Sequence, residues 1–181
     1  MEKTLGHDRN TVYYKMKMMV MTALFIALSY VATSVLIIPI PGGGYLNLGD
    51  TVVLLGAYLL GPVYGAIAGG VGPALADLLA GYGIYVPATL VIKALMGLAA
   101  ALLYKTLRKK PWALIICGVA SEAIMVAGYC LYEAFLAGHL AAGLAGIPGN
   151  LAQSVFGLAA STLLAMALRK SSYVRKEFPN L

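Results

Sequence analysis

The feature that most constrains this chain is the length of its apolar runs. Five stretches, Val20 to Ile38, Val63 to Ala80, Val86 to Tyr104, Trp112 to Leu136 and Ile147 to Leu168, are each long enough to cross a hydrocarbon layer of about 30 Å as a helix. Charged residues make up 11% of the chain and hydrophobic ones 61%, against about 25% charged in an ordinary soluble domain. Water is therefore not the main solvent of this protein. The expected class is an all-α, polytopic membrane protein of one domain. The first run is too long for the core of a secretory signal and lacks a small-residue cleavage site, so it reads as a retained first span.

The net charge of +6 reports topology, and no nucleic-acid partner is expected. A nucleic-acid surface would gather its cations on one folded face. Here Lys3, Arg9, Lys15 and Lys17 precede the first run, Lys105, Arg108, Lys109 and Lys110 separate two others, and Arg169, Lys170, Arg175 and Lys176 follow the last. Basic clusters flanking apolar spans mark the cytoplasmic side of a bilayer. All three clusters fall on that side only if a sixth, marginal run, Leu46 to Leu60, also crosses. At fifteen residues it covers about 22 Å, which calls for local thinning or an end buried in protein. The expectation is a six-helix transmembrane bundle over residues 16–170 with both termini cytoplasmic. Residues 1–15 and 171–181 are expected as loosely ordered inner tails.

The connections fit that count. Gly61-Pro62 makes a tight inner turn. The outer loops, around Pro39 to Tyr45, Gly81 to Tyr85 and Ala137 to Gly146, contain no Lys or Arg. Within the first, Pro41, Gly42, Gly43 and Gly44 form a stretch flexible enough to act as a gating lid, or simply as a connector. Cys117 and Cys130 lie thirteen residues apart on one expected helix, about 20 Å, which excludes a disulfide.

Ionisable groups inside spans are costly and mark function by default. Here they share a depth. Asp50 lies near the outer end of the second helix, Asp77 one turn below the outer end of the third, and Lys93 two turns into the fourth. Glu133 lies in the outer part of the fifth, with Tyr129 and Glu122 below it on one face, and Asn150, Gln153 and Ser154 form a stripe on the sixth at helical spacing. With Tyr82 and Tyr85 from the intervening loop, these groups can form a small-molecule pocket opening outward. Internal pairing, for instance of Asp77 with Lys93, is the structural alternative. Yet Asp50, Asp77, Glu122 and Glu133 face a single lysine, so pairing cannot satisfy them all. A neutral or cationic heterocycle bearing hydroxyl or amino groups fits that surplus.

Small residues recur four apart at Ala23 and Ala27, Gly65 and Gly69, Ala66 and Gly70, Gly97 and Ala101, a spacing that lets helices approach closely. Docking onto a partner suits the first helix best, because it has few polar groups to bury. No phosphate loop ending in Gly-Lys-Ser/Thr, no His-Glu-x-x-His and no Gly-x-Ser-x-Gly is present, so ATP hydrolysis, metal and serine hydrolase chemistry are unsupported and no cofactor is expected. One enzyme class stays open, an intramembrane aspartyl protease using Asp50 and Asp77, which requires two carboxylates sharing a proton. A stand-alone facilitator is a further alternative, although the inner halves of the spans lack a polar stripe.

The stretch Asn47-Leu-Gly-Asp50, Gly61-Pro62-x-x-Gly65, Leu75-Ala-Asp77-Leu-Leu79, Gly81-Tyr82 and Pro87-Ala-Thr89-Leu-x-Ile-Lys93-Ala-Leu-Met-Gly97 resembles the substrate-binding S component of energy-coupling factor (ECF) transporters, in the branch for riboflavin, hydroxymethylpyrimidine or vitamin B6. Ala23-Leu-Phe-Ile-Ala27 is similar to the Ala-x-x-x-Ala signature by which these proteins contact their coupling subunit. The resemblance implies a six-helix bundle in a prokaryotic cell membrane that binds a vitamin or precursor from outside. It also implies a transmembrane coupling subunit, the T component, and two cytoplasmic ATPases as partners, so that the chain itself is not an enzyme. The ligand implied is a vitamin B6 or pyrimidine-like compound, with Asn47 added to the candidate pocket residues.

Overall fold

The structure is a computed structural model that describes residues 2–35, 38–39, 45–178 and 181, with side chains for 12–35, 47–178 and 181. The described residues form helices α1 (Glu2–Ser34), α2 (Gly49–Leu60), α3 (Pro62–Leu79), α4 (Val86–Leu107), α5 (Ala113–Ala137), α6 (Leu140–Lys170) and α7 (Ser172–Glu177). A short antiparallel pairing of β1 (Ile38–Pro39) with β2 (Tyr45–Leu46) joins α1 to α2. Pro41, Gly42, Gly43 and Gly44, the expected lid, lie outside the described residues.

Among the described residues, five helices are long and apolar enough to cross a membrane: Val12–Ser34 within α1, then α3, α4, α5 and α6. The sixth run folds as α2, whose twelve residues extend about 18 Å. Every one of them is buried, enclosed by α1, α3, α4 and α6. A helix wrapped in protein meets no lipid along its length, so it has no need to match the thickness of the bilayer.

Gly61 takes φ 82 at the α2–α3 turn, and Pro62 starts α3 at a position where a missing N–H costs nothing. α3 then packs closely on α4: a β-carbon added at Gly97 would lie 2.8 Å from the Gly65 carbonyl oxygen. The small residues of α3 and α4 therefore serve internal packing. Ala23 and Ala27 differ, since both are exposed on α1, beside Val20, Leu24, Leu28 and Val31, which are also exposed. The opposite side of α1 buries Thr22, Ser29 and Thr33, more polar groups than its sequence was expected to bury. Hydroxyls back-bond within the helix, as Thr22 does to the Met18 carbonyl at 2.7 Å and Thr33 to that of Ser29 at 2.8 Å, and so pass unnoticed in an apolar run.

Two expectations are corrected. The wide loop expected at Ala137 to Gly146 shrinks to Gly138 and His139, where Gly138 takes φ 74 and the His139 ring accepts the Ala142 N–H at 3.3 Å. Pro148 thus lies inside α6, as membrane helices tolerate when neighbours satisfy the freed carbonyl. Within residues 171–181, expected to be loose, Ser172–Glu177 form α7, which folds back on the bundle. The Lys17 ammonium donates to the Glu177 carboxylate at 2.6 Å and to its carbonyl at 2.7 Å, and it sits 4.7 Å from the Phe178 ring centroid. Val174, Phe178 and Leu181 pack on the core around Leu54, Tyr58, Tyr104 and Leu114. Within that core the Tyr58 hydroxyl donates to the Leu114 carbonyl at 3.1 Å.

Candidate substrate-binding pocket

Helix ends bring the polar residues together. Asp50 is the second residue of α2 and Asp77 lies near the end of α3, while Thr89 and Lys93 stand on the first turns of α4. Tyr129 and Glu133 come from the last turns of α5, and Asn150 and Gln153 from α6. Alternating chain direction puts all of them at one end of the bundle. With Asn47, Tyr82 and Tyr85 they line a cavity of about 380 Å³, within the size range of small-molecule sites.

A layer of engaged donors forms the floor. The Asn47 side-chain oxygen accepts the Gly49 N–H at 2.8 Å, which leaves its amide nitrogen to donate to Gln153 Oε1 at 3.0 Å. Gln153 must then present its own nitrogen to Asp50 Oδ2, at 2.6 Å. The other Asp50 oxygen receives Lys93. Asp50 is 0% and Lys93 4% exposed, so the pair is fully desolvated, a condition under which paired charges persist and isolated ones do not. Below them Met96, Met125, Leu54 and Tyr58 fill the interior, each 0% exposed.

The wall above is tyrosine and carboxylate. Thr89 donates its hydroxyl proton to Asp77 Oδ2 at 2.5 Å. Its oxygen lies 3.0 Å from the Tyr129 hydroxyl, and since the threonine proton is already engaged, Tyr129 donates. Tyr132 donates to the Ile84 carbonyl and meets Tyr85 edge-to-face at a centroid distance of 5.7 Å. Burial, and after it the nearby Glu133 carboxylate, push the Tyr85 hydroxyl above the usual phenol range. It therefore stays protonated at neutral pH.

The sequence expectations fare unevenly. Asn47, Asp50, Asp77, Tyr82, Tyr85, Lys93, Tyr129, Glu133, Asn150 and Gln153 share the cavity. Glu122 does not: it lies two turns below Tyr129, about 10 Å along α5, and borders a separate cleft between α5 and α6 with Ser154. Among the described residues its carboxyl oxygens have no hydrogen-bond partner, and the Ser154 hydroxyl donates to the Asn150 carbonyl at 2.8 Å. Lys93 pairs with Asp50 and not, as the sequence alternative had it, with Asp77. Thr33, Pro73 and Thr89 also line the cavity. Thr89 was legible, four residues before Lys93 and so on its face; nothing in the local pattern marks Thr33 or Pro73.

Asp50 and Asp77 border one cavity without forming a proton-sharing dyad. Both oxygens of Asp50 are held by Lys93 and Gln153, and Asp77 is held by Thr89. The geometry an aspartyl protease requires is not present. Among the described residues no cluster of three His, Cys, Asp or Glu side chains is placed to hold a metal ion.

Comparison with known proteins agrees with this arrangement. The family model for the ECF-type riboflavin transporter, S component, matches residues 13–170. An uncharacterized protein of Pyrococcus woesei is 37% identical over 142 residues, covering 77% of this chain and 93% of its own length. The thiamine precursor transporter HmpT of Lactococcus lactis subsp. cremoris (strain MG1363) is 29% identical over 158 residues, 86% of this chain and 89% of that protein. A polar cavity among membrane-length helices and a family match across nearly the whole bundle lead to one assignment. The chain belongs to the family of ECF-type riboflavin transporter S components, and is a vitamin-type substrate-binding membrane subunit, not an enzyme.

Proposed function

We propose that this chain captures a vitamin or vitamin precursor, best matched by a vitamin B6 or hydroxymethylpyrimidine-like compound, from outside a prokaryotic cell for ATP-driven uptake. The observation that carries the reading is the convergence of carboxylates, amides and tyrosines from separate helices on a cavity of about 380 Å³. Similarity to a protein named as a thiamine precursor transporter supports the ligand class. Asn47, Asp50, Lys93 and Gln153 form the floor, and Asp77, Tyr82, Tyr85, Tyr129, Glu133 and Asn150 face the ligand. Closing the outer loops over a small guest gives tight binding when the buried polar contacts outweigh the ordering of those loops.

The energy enters through other chains: a transmembrane T component and two cytoplasmic ATPases, with both termini of this chain on their side of the membrane. The exposed stripe of Ala23 and Ala27 on α1 is the docking face for the T component, its small side chains allowing close helix approach. The test is to replace Ala23 or Ala27 by Trp and measure ligand binding by the purified protein beside uptake by whole cells. Uptake is lost and binding is kept if the stripe docks the partner. Equal loss of both would contradict the docking role.

A further inference from the structure

The hydrogen bonds around the cavity leave an asymmetry between donors and acceptors. Lys93 and Gln153 both donate to Asp50, and Asn47 donates to Gln153. Thr89 donates to Asp77, Tyr129 to Thr89 and Tyr132 to the Ile84 carbonyl. Each of these donor groups is engaged by the protein through one hydrogen, and Lys93, among the described residues the one cation lining the cavity, is neutralised by its ion pair. Two carboxylates have capacity to spare. Asp77 uses one oxygen for Thr89, and Glu133 makes no hydrogen bond to any described residue while lining the same cavity. Apart from the remaining hydrogens of those engaged groups, the donors left to a ligand are neutral: the Tyr82 and Tyr85 hydroxyls and the Asn150 amide.

From this imbalance we infer that the pocket selects a cation: a heterocycle carrying a protonated amine, which Asp77 and Glu133 bind while the tyrosines hold the ring. The inference rests on the substrate-capture reading and sharpens its ligand from neutral-or-cationic to cationic. A protonated amine donates charge-assisted hydrogen bonds to the two carboxylates, and the faces of Tyr82, Tyr85 and Tyr129 attract both a ring and its charge. A carboxylate or phosphate on the ligand would meet Asp77 and Glu133 with no free cation to offset the repulsion. The floor pair sets the ring's depth but contributes no net charge.

The test uses three pyrimidines that share one ring and differ at one substituent, aminomethyl, hydroxymethyl or carboxylate, with calorimetric binding to the purified protein at neutral pH. The aminomethyl compound should bind about tenfold or more tighter than the hydroxymethyl one, as for one charge-assisted hydrogen bond, and the carboxylate should not bind. Glu133→Gln and Asp77→Asn, each checked for an unchanged melting temperature, should each shrink the amine-to-hydroxyl ratio. Equal or tighter binding of the hydroxymethyl or carboxylate compound would overturn the inference and leave the capture reading standing, as would an unchanged ratio in both variants. Should none of the three bind, the metabolite that co-purifies decides: a cation supports the inference, and a neutral or anionic one overturns it. No metabolite and no binding would overturn both readings.

Discussion

Among the described residues Lys93 carries the only positive charge lining the cavity, and the structure commits it to Asp50. Such a pair in a desolvated site is fragile to single changes. Asp50→Asn or Lys93→Met leaves the partner charged and without its ion-pair mate, and each is expected to destabilise the fold by about 3–5 kcal/mol. The double variant Asp50→Leu with Lys93→Met removes both charges and should recover much of that loss, as read by thermal unfolding in detergent. Recovery to no better than the single variants would show that the pair does more than neutralise itself. The sequence made both residues visible, because charge within an apolar run is conspicuous. It could not say which carboxylate Lys93 meets. Spacing along a helix fixes depth and face within that helix, whereas the pairing depends on how α2, α3 and α4 are rotated against one another. For the same reason Glu122, on the correct face of α5 but two turns too deep, was grouped with a cavity it does not line.

At the scale of elements, close packing of α3 on α4 holds Asp77 beside Thr89. Gly97→Ala would push a methyl group to 2.8 Å from the Gly65 carbonyl oxygen, and the helices must part. A loss of roughly 1–3 kcal/mol is expected, measurable as a lowered melting temperature, while Gly83→Ala, with open space around it, serves as the control. The second element with a testable device is α7. The Lys17 hydrogen bond, and then its charge, hold the Glu177 carboxyl below the usual glutamate range, so the docked segment binds a proton less readily than a released one. That contribution is complete above about pH 4.3 and fades as pH falls through the lowered value. Protection of residues 172–177 against hydrogen exchange, taken relative to the intrinsic rate at each pH, should therefore fall in acid, and in a Lys17→Gln variant it should be low already at neutral pH. Long spans and the Gly61-Pro62 turn were legible in the sequence because hydrophobic length and backbone restriction act locally. The return of α7 onto α1 was not, since Lys17 and Glu177 are 160 residues apart. The start of α6 was also obscured, by a proline that only tertiary surroundings make tolerable.

As a whole molecule, the protein is a bundle whose buried short helix, α2, gives the other helices a common centre and carries Asp50 to one end of it. Hydropathy specifies most of the helices of that architecture; the pocket emerged from the depth shared by scarce polar residues. What the sequence left open was which of those residues the protein uses for itself and which it keeps for a guest. The most direct measurement of the central claim is mass spectrometry of small molecules released from protein purified from its native host, compared between the unchanged chain and an Asp77→Asn, Glu133→Gln double variant. One small metabolite, near one per protein molecule, is expected from the unchanged chain and none from the folded double variant. No metabolite in either protein, together with no binding of added vitamin-like compounds, or equal retention by both, would contradict that claim.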